Sequence, residues 1–236
     1  FLHHPSAASV WTFADGFQRF SVQRTDAGAD EGSMLPELPA AEGADVIVMR
    51  QNHRNPEPVF RLAEGLRADG VRRFSRKRGV SSHRIAYHEC PTLDRQRPVL
   101  EAVLRELEEQ RIEPGRIAIV TLGRTDDNPL FANRRFGRFL ELGNPQLDAR
   151  GVRLPVPAEA LPNPDPGKVY FDSVRRIKGL ERGVVILVDV PDPGPPGSLE
   201  RRLLYAGVTR ATTYLAVIGT PERVAALQAI VRGYTL

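Results

Sequence analysis

The stretch "DSVRRIKGLERGVVILVDV" (172–190) places charged side chains around a glycine, directly before an aliphatic segment. Residues 184–188 are all aliphatic, which predicts a strand buried on both faces. Guanidinium groups present forked donors that suit phosphate oxygens, and a glycine lets the backbone approach a ligand closely. We therefore predict that "RRIKGLER" lies at the carboxyl end of a buried parallel strand, where open α/β sheets bind ligands, and that an anion docks there.

The elements that must position this turn alternate along the chain. Strand-like segments occupy 9–15, 45–50, 84–89, 116–122, 168–174, 183–190 and 213–219. Helix-like segments occupy 57–69, 93–111, 129–142, 198–211 and 221–233. This alternation predicts an α/β fold with a doubly wound, mostly parallel sheet and flanking helices.

Composition limits the class of protein. The longest apolar runs fall far short of the roughly 20 residues that cross a bilayer, so we predict no membrane association. A single cysteine, Cys90, cannot staple the fold, and a reducing cytoplasmic setting is the default. The net charge of +4 is compatible with nucleic acid without demonstrating it, since only three of the 33 cationic side chains are lysines and arginine bias can also reflect a GC-rich genome. The histidines His3, His4, His83 and His88 have no partners at zinc spacing, so no metal site is predicted.

Phosphate-binding glycine motifs are missing from the sequence. It contains neither G-x-x-x-x-G-K-[ST] nor a G-x-G-x-x-G after a strand. The chain therefore has no nucleotide cradle of its own, and any ATP chemistry would need another segment. The first residue is not Met, which indicates a piece of a longer protein or one half of a split one.

Four stretches, read in order, resemble the later motifs of the UvrD/Rep-like superfamily-1 DNA helicases. They are "VWTFADGFQRF" (10–20), "RQNHRNPEPVFRLAEGL" (50–66), "DSVRRIKGLERGVVIL" (172–187) and "LERRLLYAGVTRATTYLAVIG" (199–219). The pair "IKGLE" and "RRLLYAGVTRA" is the specific part of the match. The resemblance implies the second, RecA-like motor domain of an ATP-dependent helicase or translocase. It implies a tail of the first motor domain at 1–23 and the second domain at 45–236. By composition, the Gly-, Ala- and Pro-rich stretch 24–44 is expected to be a linker or loop, and the proline-rich stretch 147–167 a surface excursion.

The same resemblance implies site residues and ligands. Arg210 and Arg54 match arginines that meet the γ-phosphate, and Gln18 matches a glutamine that senses that phosphate or the attacking water. Glu181 matches the carboxylate that binds the ribose, and Gly179, Lys178 and His53 join it in the nucleotide site. Ser173, Arg175 and Arg176 match the positions that contact single-stranded DNA. ATP and Mg²⁺ would be held mainly by a separate P-loop-containing first motor domain, so this chain alone is expected to hydrolyse no ATP.

The chain departs from the family at two of these positions. The tyrosine that stacks on adenine is His53 here, and imidazole offers less area and titrates near neutral pH. The histidine of the T-x-H-x-x-K-G-L-E motif is Arg175, while Ser173 keeps the hydroxyl of the threonine. About 120 residues separate Arg54 from Lys178, so the large helical insertion of some family members is expected to be missing or reduced. We therefore expect translocation along DNA, but no strand separation by that insertion.

Two other functions remain open from the sequence. The chain could be a non-catalytic nucleic-acid-binding module that keeps the motor residues as scaffold. It could also belong to an ATPase that acts on RNA or within an anti-phage defence or DNA repair complex. The basic run "RRFSRKRG" (72–79) suits either a nucleic-acid backbone or a solvated loop.

Overall fold

The computed structural model describes residues 54–67, 85–123, 130, 135–136, 140–143, 167–177 and 180–233. Within them lie four α-helices and seven strands. The helices are α1 (Glu57–Arg67), α2 (Gln96–Glu109), α3 (Leu199–Val208) and α4 (Pro221–Gly233). The strands are β1 (Ala86–Glu89), β2 (Ile117–Thr121), β3 (Arg135–Phe136), β4 (Leu140–Gly143), β5 (Val169–Ser173), β6 (Arg182–Val188) and β7 (Ala211–Gly219). Short 3₁₀ turns span Leu93–Arg95 and Pro114–Arg116.

The strands form one sheet in the order β1-β7-β6-β2-β5-β4-β3. All neighbouring pairs in the described sheet are parallel except β3 with β4. Register fixes the two edges of the central strands: Thr121 pairs with Ser173 and with Val188, and Arg182 pairs with Ala211. Thus β2, β5 and β6 end at one edge, which we call the carboxyl edge, and β6 and β7 begin at the opposite, amino edge.

Helices cover both faces of the sheet. Alternate residues of β6 and β7 point to opposite faces, as a pleated strand requires. Leu62, Leu204 and Leu227, from α1, α3 and α4, pack in one core cluster, and Leu100 and Leu104, from α2, pack in the other. The predicted α/β class with a mostly parallel, doubly wound sheet is therefore confirmed. Because both faces are covered, β6 is aliphatic along its buried length and not alternating.

Local sequence accounts for where the helices begin. Ser198 is the N-cap of α3 and accepts a hydrogen bond from the Arg201 N–H at 3.2 Å. Pro221 is the first residue of α4, and the Val224 N–H bonds the Thr220 carbonyl at 2.9 Å. The observed bounds of α4 are the predicted ones, 221–233.

One predicted helix is wrong. The stretch 129–142 contributes the two short strands β3 and β4, and β4 pairs with the side of β5 through Leu142 and Val169. The stretch contains Gly137, a poor helix former, and the exposed edge of β5 offers backbone partners that outweigh a weak helical preference. The predicted strands at 9–15 and 45–50, the tail at 1–23, the linker at 24–44, the run at 72–79 and the excursion at 147–167 lie outside the described residues.

Candidate nucleotide and nucleic-acid edges

Three segments that are far apart in the sequence meet at the amino edge. Arg54 lies just before α1, and Glu181 lies just before β6. Arg54 Nε is 2.6 Å from Glu181 Oε1, and the two side chains are 47% and 38% exposed. An ion pair this exposed contributes little to stability, so exchanging it for a bound anion would cost the fold little.

Asn55 fixes the segment that carries Arg54. Its side-chain amide donates to the carbonyls of Thr209 and Ala211, at 3.1 and 2.7 Å. These two carbonyls flank Arg210, so one side chain spans the turn between α3 and β7. Sequence reasoning missed Asn55, because an asparagine next to a proline at a helix start indicates a local cap and gives no sign of partners some 150 residues away.

Arg210, between the two residues that Asn55 bonds, is buried and only 2% exposed. Its guanidinium donates to the Ala206 carbonyl (3.0 Å), to Thr209 Oγ1 (3.2 Å) and to the Leu180 carbonyl (3.4 Å). Its own carbonyl accepts from the Arg182 N–H at 3.0 Å. Arg210 therefore bonds the residues on both sides of Glu181. In this arrangement it supports the site from below, and its contact with a phosphate stays a prediction.

These contacts close a circuit at the amino edge. Asn55 bonds both neighbours of Arg210, Arg210 bonds both neighbours of Glu181, and Glu181 pairs with Arg54, the residue before Asn55. We call these four residues the amino-edge circuit. The structure thus brings Arg54, Glu181 and Arg210 together, but only the first two are exposed. The other predicted nucleotide-site residues, Gln18, His53, Lys178 and Gly179, lie outside the described residues.

Arg182 extends the circuit by one cation. Its Nη1 donates to the Glu181 carbonyl at 2.8 Å, and its guanidinium lies 5.1 Å from the centre of the Tyr170 ring. Burial lowers the pKa of Arg182, because desolvation disfavours the charged form. The aromatic face offsets part of that cost.

The predicted DNA-binding residues lie at the opposite, carboxyl edge. β5 ends at Ser173, whose carbonyl accepts from the N–H groups of Arg176 and Ile177 at 3.0 and 3.1 Å. This tight turn leaves Arg175 exposed, while Ser173 is buried. Arg176 is half-buried, with Nη1 3.6 Å from the buried Asp172 carboxylate.

The placement of "RRIKGLER" at one edge was therefore wrong. Arg175 and Arg176 follow the carboxyl end of β5, but Glu181 precedes the amino end of β6. The connection crosses β2, since β5 and β6 pair in parallel with opposite sides of that strand. Val174 and Ile177 are buried against the core as it crosses. The charges of one short stretch thus serve two different edges.

The sequence analysis also missed a polar cluster at the carboxyl edge, formed by Asp189, Gln96 and Thr121. Asp189, just after β6, has a left-handed backbone with φ of 52°. Its carboxylate accepts from Gln96 Nε2 at 2.8 Å and from the Thr121 hydroxyl at 2.5 Å, and its N–H donates to Gln96 Oε1 at 2.7 Å. A polar residue directly after a buried strand was the available signal. The cluster fixes how the chain leaves β6.

The described residues offer no group of three His, Cys, Asp or Glu side chains that could hold a metal ion. In the same part of the chain, every helix is too short or too polar to cross a bilayer.

A match to a family model supports the resemblance on which the residue roles rest. Residues 168–218 match the family model described as the UvrD-like helicase C-terminal domain. A solved structure described as the C-terminal domain of a possible DNA helicase from Lactobacillus plantarum WCFS1 is 17% identical to this chain. The alignment has a TM-score of 0.49 and covers 75% of this chain and 95% of the other. No curated protein sequence matches the chain significantly. The span that matches the family model, 168–218, contains Glu181 and Arg210 together with the whole of β5, β6 and α3.

Proposed function

We propose that this chain is the second, RecA-like motor domain of an ATP-dependent DNA helicase or translocase, a role supported by the match of residues 168–218 to the UvrD-like helicase C-terminal domain model. Its amino edge contributes to a nucleotide site, and its phosphate loop belongs to a separate first motor domain. The observation that carries the proposal is the exposed Arg54–Glu181 pair at 2.6 Å, held on the amino-edge circuit. A paired cation and carboxylate are the groups that a nucleotide's phosphates and ribose hydroxyls require.

Each exposed member of the pair has a distinct role in this proposal. Arg54 would exchange Glu181 for the γ-phosphate, where a guanidinium can offer two donors and a fixed charge. Glu181 would then accept a hydrogen bond from the ribose. The proposal also includes Gln18 at the phosphate and His53, Lys178 and Gly179 around the nucleotide.

Arg210 acts as a positioning residue in this account. Its donors bond Ala206, Leu180 and Thr209, so the guanidinium would have to exchange these partners to reach a phosphate. Mg²⁺, when bound with ATP, would neutralise phosphate charge. We assign its ligands to the first motor domain.

The carboxyl edge suits a nucleic-acid backbone. Arg175 is exposed beside the half-buried Arg176, in a turn that begins at the buried Ser173. Phosphate contacts of this kind are independent of base sequence and weaken steeply with salt. We propose single-stranded DNA as the ligand of this edge.

The test is ATP hydrolysis by the protein that joins this chain to its phosphate-loop domain, with oligo-dT as the cofactor. We expect Arg54→Ala to lower kcat at saturating DNA about 100-fold or more, as expected for loss of a phosphate-contacting arginine. Arg61→Ala is the matched control, since Arg61 lies on α1 and forms its own surface pair with Glu57 at 2.8 Å. Equal rates for the two variants would contradict the proposal. For the isolated chain we expect no hydrolysis, and turnover that Arg210→Ala abolishes would refute that expectation.

A second function is favoured by the burial of Arg210. Arg210 is only 2% exposed and its guanidinium donates to Ala206, Leu180 and Thr209, as expected if this arginine is structural and the chain is a non-catalytic nucleic-acid-binding module. Such a module would bind oligo-dT while the whole protein hydrolysed no ATP. Replacing oligo-dT by oligo-rU in the same assay distinguishes an RNA-directed ATPase from a DNA-directed one.

A further inference from the structure

Asp172 is a carboxylate in the interior of β5 with no exposed surface. The Ser173 N–H donates to its Oδ1 at 2.7 Å, and the Tyr170 hydroxyl donates to its Oδ2 at 3.3 Å. Its carboxylate also pairs with Arg176, whose Nη1 is 3.6 Å from Oδ1. Burying an ionised carboxylate is costly unless it is paired and hydrogen-bonded, so these contacts hold Arg176 where the strand ends.

Tyr170 continues the contacts toward the opposite edge. Residues two apart on a strand share a face, and the Tyr170 ring lies against the Arg182 guanidinium at 5.1 Å. Arg182 in turn donates to the carbonyl of Glu181 at 2.8 Å. One face of β5 therefore links Arg176 at the carboxyl edge to Glu181 at the amino edge.

Electrostatic interactions connect the four side chains on this face of the sheet, Arg176, Asp172, Tyr170 and Arg182. Burial and the adjacent Asp172 carboxylate raise the pKa of Tyr170, so its hydroxyl keeps the proton that it donates to Asp172. The half-buried Arg182 cation depends on the ring of that same tyrosine. A change in the charge or position of Arg176 would therefore act on Asp172, and through Asp172 on Tyr170 and Arg182.

We propose that Asp172 and Tyr170 are positioning residues that set Arg176 and Arg182 relative to each other, and so couple the nucleic-acid edge to the nucleotide edge. The assignment of ligands to the two edges rests on the function proposed above. The coupling itself is a property of the folded chain and can be measured without either ligand.

The decisive experiment is a double-mutant cycle in urea unfolding of the full 236-residue chain, with Arg176→Gln and Arg182→Gln. Independent sites have effects that multiply in the unfolding equilibrium constant, and coupled sites depart from that product. We expect a departure of about threefold or more, and we expect it to vanish in the Asp172→Asn background. Tyr170→Phe, which keeps the ring but removes the hydroxyl, should reduce the departure. A simple product in the unsubstituted background, or a departure that Asp172→Asn leaves unchanged, would overturn the proposal.

A binding measurement separates positioning from mere stability. Fluorescein-labelled oligo-dT is titrated with folded Asp172→Asn and with the unsubstituted chain at several salt concentrations. If Asp172 positions Arg176, its loss should weaken binding about threefold and reduce the salt slope by about 1, the effect of one lost phosphate contact. Unchanged or tighter binding by Asp172→Asn would count against positioning at the carboxyl edge. If the unsubstituted chain bound no oligonucleotide, the proposed function would fail at this edge, while the unfolding cycle would still decide whether the two arginines are coupled.

Discussion

The two edges of the sheet are built in different ways. At the amino edge, Arg54, Glu181 and Arg210 come from three distant segments, which are joined by an ion pair and by hydrogen bonds from the Asn55 and Arg210 side chains to backbone carbonyls. At the carboxyl edge, Arg175 and Arg176 come from one turn whose shape is set by local bonds to Ser173. An edge assembled from distant segments depends on single bracing side chains, whereas a local turn keeps its shape when one side chain is lost.

The largest effect on stability should therefore come from Arg210→Ala. The substitution would remove the donor to the buried Ala206 carbonyl and to the part-buried Leu180 carbonyl, and we expect a loss of about 3 kcal/mol in the free energy of unfolding. Arg54→Ala, at an exposed pair, should cost less than about 1 kcal/mol. Urea unfolding of both variants measures the difference, and equal losses would contradict the distinction between a supporting and an exposed arginine.

Asn55→Asp should have the next largest effect. The carboxylate is nearly isosteric but cannot donate to the carbonyls of Thr209 and Ala211, which it would face with a negative charge. We expect a loss of about 2 kcal/mol in urea unfolding. Hydrogen exchange should also become faster at the Arg182 amide, whose acceptor is the carbonyl of Arg210. Wild-type exchange there would show that the amino-edge circuit does not act as one unit.

Loss of the exposed Arg175 side chain at the carboxyl edge should change binding and leave stability nearly unaltered. Arg175→Ala is expected to weaken oligo-dT binding about threefold and to reduce the salt slope by about 1. Its unfolding free energy should change by less than about 0.5 kcal/mol, because the side chain is exposed. Arg54→Ala is the paired control from the other edge and should bind oligo-dT like the unsubstituted chain. A similar loss of binding in both variants would contradict the claim that only the carboxyl edge binds single-stranded DNA.

The smallest expected effect comes from pH, at a site away from both arginine groups. Burial lowers the pKa of His88 from its ordinary 6.5, with Glu106 opposing the shift. The unfolded chain therefore binds the proton more readily, so this residue's contribution is present above pH 6.5 and is lost as the pH falls through its folded pKa. The urea midpoint should drop between pH 7.5 and 5.5, and the drop should be smaller in His88→Gln. An equal drop in the two proteins would assign the pH dependence to other groups.

The contrast between the edges also explains what the sequence could and could not predict. The aliphatic run of β6 and the apolar stripe of α2 report burial directly, so the class of fold followed from them. The motif "KGLE" indicated Glu181, which the structure pairs with Arg54, while its contact with a ribose stays a prediction. Asn55 and the burial of Arg210 could not be predicted, because both depend on contacts between distant segments that leave no local pattern. The helix predicted at 129–142 was wrong for a similar reason, since part of this segment pairs as β4 with β5, a strand that follows it in the sequence.

The account's central claim is that Arg54 at the amino edge serves the nucleotide and Arg175 at the carboxyl edge serves single-stranded DNA. Its most direct test is the rate of ATP hydrolysis against oligo-dT concentration, for the protein that joins this chain to its phosphate-loop domain. Arg54→Ala should lower the maximal rate and leave the half-saturating DNA concentration unchanged. Arg175→Ala should raise that concentration about threefold at an unchanged maximal rate. A wild-type maximal rate for Arg54→Ala, or the same change in both variants, would contradict the claim.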